Sequence, residues 1–137
     1  MVNKDFVIET LQTMGFELEE MNGIGHLFEY EDVNYIFVSV PEDTDSIRIL
    51  LPNIYMVTDE NRQSVFETVM SVNCDVKYVK LFTVRDSVWG QYDHFCSGDV
   101  EEIYEVLENM IGALSFAYTE FYRQIESVGV IEEECDE

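Results

Sequence analysis

Asp93-His94-Phe95-Cys96 is the one stretch of this sequence where side chains able to do chemistry cluster. Residues two apart in an extended strand share a face, so His94 and Cys96 would point the same way. Such a pair could serve as a thiolate–imidazole couple in a hydrolase, or supply two ligands to a metal. A closed zinc site needs two further ligands, with Cys74 and His26 as the candidates. A half-buried strand histidine beside a core thiol explains the same four residues with less. The expectation is therefore no catalytic residue, no metal and no cofactor, and a hydrolase or metal enzyme built on His94 and Cys96 is the alternative.

Other chemical signals are weaker. Asp43 and Asp45, in the loop after Pro41, resemble part of a calcium loop but lack the third ligand and the glycine at the required spacing. Paired carboxylates carry no information among 29 acids. No phosphate-binding glycine loop, nucleophile elbow or dinucleotide fingerprint occurs, and Gly23-Ile24-Gly25 reads as a turn. Trp89 and the eight tyrosines could stack on bases only beside a basic surface. The balance is the reverse: 7 basic side chains against 29 acidic, a formal charge of −22. That field repels nucleic-acid phosphate and anionic lipid and steers toward basic surfaces. It also admits a second alternative, an acidic mimic of nucleic acid that occupies a basic protein.

The elements that must position these residues follow from periodicity. At 137 residues and 47% hydrophobic composition the chain suits one domain with a real core. A first helix is expected over Lys4–Met14, capped by Asn3 and stopped by Gly15, with Val7, Ile8, Leu11 and Met14 on its buried stripe and Phe6 outside it. Strands are expected over Phe16–Met21, His26–Glu31 and Asn34–Val40, with Glu31-Asp32 as a tight turn and the third strand covered on both faces. A fourth strand, Ser46–Leu51, should end at Pro52 and pass into an irregular Asn53–Val57. A second helix from about Asp59 or Glu60 to Asn73 should bury Val65, Phe66, Val69, Met70 and Val72. Strands Tyr78–Val84 and Val88–Cys96 flank the turn Arg85-Asp86-Ser87. Asp99 and Glu102 form a capping signature for a last helix over Val100–Ser127. Its apolar arc of about 160° leaves Phe116 on the far side, one turn after Gly112. Gly112 and Phe116 are thus the candidate interface. The division expected is one α+β domain over 1–128 and an acidic, disordered tail over 129–137.

This order, α-β-β-β-β-α-β-β-α, resembles the type III secretion chaperone fold and, more specifically, the YbjN-like family. The residues that carry the resemblance are Ile49-Leu50-Leu51-Pro52, the helix end Val72-Asn73, and Val79-Lys80-Leu81-Phe82 continuing to Val88-Trp89-Gly90. The resemblance implies an antiparallel sheet with helices packed against it and a non-enzymatic protein. It also implies a homodimer that binds another protein as a chaperone or a regulator, with no catalytic residues to carry over. The start of the sequence lacks a basic segment followed by an apolar run. The three cysteines show no paired spacing, so a cytoplasmic setting is expected.

Overall fold

The computed structural model describes residues 3–40, 45–95 and 102–135, with side chains up to residue 127. The order is α1 (Lys4–Thr13), β1 (Glu19–Met21), β2 (Gly25–Tyr30), β3 (Val33–Val38), β4 (Ser46–Met56), α2 (Arg62–Asp75), β5 (Lys80–Val84), β6 (Ser87–Phe95) and α3 (Ile103–Cys135). It is the order expected from the sequence. The strands form one sheet, β1-β2-β3-β4-β6-β5, antiparallel throughout.

Local chemistry sets the boundaries. The Asn3 side chain accepts from the Phe6 N–H at 3.1 Å and caps α1. At the other end Gly15 takes φ +102°, donating to Gln12, while Phe16 donates to Leu11. This paired arrangement needs a left-handed residue, which glycine supplies without strain. The buried stripe differs from the expected one. Val7 and Leu11 are fully buried, Ile8 and Met14 only partly, and Lys4 and Thr10 take their place. Lys4 survives burial because its Nζ donates to the Ser46 carbonyl at 3.1 Å and lies over the Phe37 ring. Burial, and secondarily the nearby Arg48, pushes its pKa below the usual lysine value.

The β2–β3 turn is Glu31-Asp32, with φ of 52° and 65° between paired Tyr30 and Val33. Both residues are in the left-handed region, as a two-residue hairpin turn of this hand requires. Arg85, at φ 55°, does the same work between Val84 and Ser87.

β4 does not end at Pro52 but continues to Met56. The reason is a bulge. Leu51 pairs with Gly90 and Tyr55 with Val88, so the register slips where Pro52 lacks an N–H and Asn53 turns to φ 51°. α2 starts at Arg62, later than expected, because Thr58 and Asn61 bond each other's backbone N–H and hold a separate turn. α3 runs to Cys135, past Ser127 and through Gly129, so the segment expected as a disordered tail is helical to that point. The run of glutamates favours helix, and one glycine costs only about 1 kcal/mol. Pro41 and Asp99 lie outside the described residues, as do Asp43 of the loop and Cys96.

The core lies between the sheet and the helices. Phe28, Tyr35, Phe37, Ile47, Ile49 and Leu51 meet Val7, Leu11, Leu107, Met110, Leu114 and Phe121. Tyr122 adds a tie, donating from its hydroxyl to the Ile54 carbonyl. β3 was expected to be covered on two sides. Its second face instead lies outside this cluster, and Ile36 is buried between its cross-strand neighbours Leu27 and Leu50. The helices therefore cover one face. On the opposite face Arg48 pairs with Asp93 at 2.7 Å.

Candidate interaction surface

The sheet keeps the two histidines apart. His94 pairs in register with Ile47 on β6, half-exposed, and its intended partner Cys96 is outside the described residues. His26 lies on β2, opposite Phe37. β2 and β6 are separated by β3 and β4, about 14 Å at the usual strand spacing. One metal cannot reach both histidines, so a zinc site drawing on His26 and His94 together is contradicted. Among the described residues no three His, Cys, Asp or Glu side chains could hold a metal ion. Cys74 is exposed on α2. The His26 Nδ1 atom is buried without a hydrogen-bond partner among the described residues.

A groove of about 490 Å³ separates the Gly15–Glu19 connection from Leu27, Phe28, Glu29 and Asn34. Its ionisable side chains are Glu17, Glu19 and Glu29, and it brings no nucleophile to a base.

Exposed apolar side chains occur on the strands and connections, with Met56, Tyr78 and Phe95 the most open, and also on the helical layer. Phe116 is 59% exposed on α3, and nothing lies within 4 Å of where a Cβ on Gly112 would be. The small residue and the outward ring thus make an open notch and a knob one helical turn apart. On α2, Phe66 and Met70 are 43% and 69% exposed and line a shallow groove of about 430 Å³ with Asp59, Arg62, Gln63 and Glu67.

The second cluster corrects an expectation. Phe66 and Met70 were placed on the buried side of α2, yet the side that packs is Ser64, Val65, Thr68 and Val72. Thr68 tolerates burial because its Oγ1 donates to the Ser64 carbonyl at 2.7 Å. Small side chains let α2 lie close to its neighbours, and this turns the larger Phe66 and Met70 outward. Reading hydrophobicity alone misses this. The small residues at 64, 65, 68 and 72 were the available signal.

Carboxylates rim both clusters. Beyond Phe116 on α3, Glu120 accepts from Arg123 and Gln124. These bonds, with the Arg123 guanidinium foremost, hold its carboxyl down at about 2. Gln124 also donates to Asp75 at 3.2 Å, linking α3 to the end of α2.

No protein-family model matches the chain, and no curated protein matches it. Solved structures do. YbjN from E. coli, described as a proposed transcription regulator, matches with a TM-score of 0.65 at 12% identity, over 85% of this chain and 88% of that one. An uncharacterised protein from Methanothermobacter thermautotrophicus matches with a TM-score of 0.64 at 14% identity, over 91% of this chain and 97% of that one. The chain has the YbjN-like fold, an α+β architecture of six antiparallel strands and three helices. Among the described residues no helix is long and apolar enough to cross a membrane.

Proposed function

We propose that this chain is a non-catalytic protein-binding module, chaperone-like or regulatory, that works as a homodimer in the cytoplasm. The observation that carries the reading is the outward Phe66–Met70 pair on α2, an aromatic and a thioether ringed by polar and charged side chains. Exposed apolar side chains gain meaning when they cluster, and methionine adapts to varied apolar partners. A basic rim on the partner would complement the −22 charge. The fold shared with a proposed transcription regulator is compatible with such a role.

A photo-crosslinking residue placed at Met70, with a control at Lys80 on the far face of the sheet, tests this in the native host. Discrete protein adducts from position 70 and none from position 80 are expected. Equal labelling from both positions, or from neither, would contradict the reading.

A further inference from the structure

The outer row of α3 reads Glu105, Asn109, Gly112, Phe116, Thr119 and Arg123. Residues three and four apart lie on one face of a helix, so these six form a single outward row with Phe116 its one large apolar side chain. All six residues are exposed, while Leu107, Met110, Leu114, Ala117 and Phe121 on the opposite side are buried in the core. α3 thus buries one face in the core and exposes the opposite one. From Glu105 to Arg123 the exposed row is about 27 Å long.

We infer that the exposed row is the contact between two copies of this chain, with the two α3 helices antiparallel and crossing near Leu114. Positions symmetric about residue 114 then meet. Phe116 of each copy enters the notch above Gly112 of the other, and Asn109 faces Thr119. Glu105 of each copy faces Arg123 of the other, once at each end. The self-match is specific to this direction. A parallel pairing would set Glu105 against Glu105, Arg123 against Arg123 and Phe116 against Phe116, which leaves both notches empty. Glu105 makes no hydrogen bond or ion pair among the described residues. Arg123 holds Glu120 from an exposed position and has donors to spare for a second carboxylate. An isologous contact of this kind closes at two copies. Gly112 is required by the close approach, since any side chain there would fill the notch that receives the ring.

This inference deepens the homodimer part of the reading above and rests on it. Sedimentation equilibrium of the full chain at about 0.15 M ionic strength, where the like charges of the two chains are screened, provides the test over a wide concentration range. The wild type should approach twice its 16.0 kDa mass. Phe116→Glu should weaken association by roughly tenfold or more with unchanged helix content by circular dichroism. Glu105→Arg and Arg123→Glu exchange charge at opposite ends of one pair. Their double variant should associate about as tightly as the wild type, far more tightly than the two single effects multiplied together predict. A monomer at every concentration overturns the inference and the homodimer reading together. A dimer indifferent to Phe116→Glu, or one in which the two charge reversals simply multiply, overturns this contact and leaves the homodimer standing on another surface.

Discussion

Individual residues decide the fold where the backbone leaves no room. A Cβ at Gly25 would stand 1.9 Å from the Phe37 carbonyl oxygen, so β2 and β3 can approach only with glycine there. Gly25→Ala should cost about 3 kcal/mol, read by urea denaturation. Removing the Tyr122 hydroxyl as Tyr122→Phe deprives the Ile54 carbonyl of its donor and should cost about 1 kcal/mol by the same measurement. Glu120 gives a titration signature. Its carboxyl, held at about 2 chiefly by Arg123, favours the folded state above the ordinary carboxylate value of 4.5 and loses that contribution as pH falls toward 2. In Arg123→Ala the Glu120 carboxyl should titrate closer to 4.5, followed by NMR of its side-chain carbon. The Asn3 cap, the Gly15 stop and the outward Phe116 were legible in the sequence, since each depends on chemistry local to one helix. Lys4 was not. Its burial is licensed by the Ser46 carbonyl and the Phe37 ring, groups distant in sequence that only the folded sheet brings to it.

The elements show where local signals compete with tertiary ones. The longer strands and the three helices were legible because alternation and helical stripes are strong over five or more residues, whereas β1 pairs only over Glu19–Met21 of the expected Phe16–Met21. Boundaries failed where a tertiary feature absorbed a local stop signal, as the bulge absorbed Pro52 and the helix absorbed Gly129. The face of α2 failed because packing selected small residues over large ones. Asn73 is the element-scale counterpart of a cap. Its carboxamide accepts from the Leu81 N–H at 2.7 Å and donates to the Leu81 carbonyl at 3.0 Å, closing the outer edge of β5 as a neighbouring strand would. Asn73→Ala should cost about 1–3 kcal/mol and speed hydrogen exchange at the Leu81 amide. The Glu31-Asp32 turn carries strain that its residue types do not relieve. Replacing it with Asn-Gly should stabilise the chain by about 1 kcal/mol, measured by thermal unfolding.

At the scale of the whole molecule, charge opposes association and shape favours it. Two chains of −22 repel one another over distances that ordinary salt screens, whereas the Glu105–Arg123 pairs act only at contact. Dimer formation should therefore strengthen between about 0.05 and 0.5 M salt, the reverse of an interface held by ion pairs alone. The charge was plain in the sequence, but it names no surface. The candidate surfaces came from side chains the core did not use: Phe116 on α3, which is exposed, and Phe66 with Met70 on α2, which were expected in the core. The most direct measurement is affinity retention from a native host extract on immobilised wild type beside the Phe66→Glu, Met70→Glu double variant. A discrete protein held by the wild type and released by the variant is predicted. Identical retention on both, with the variant shown to be folded, would contradict the account.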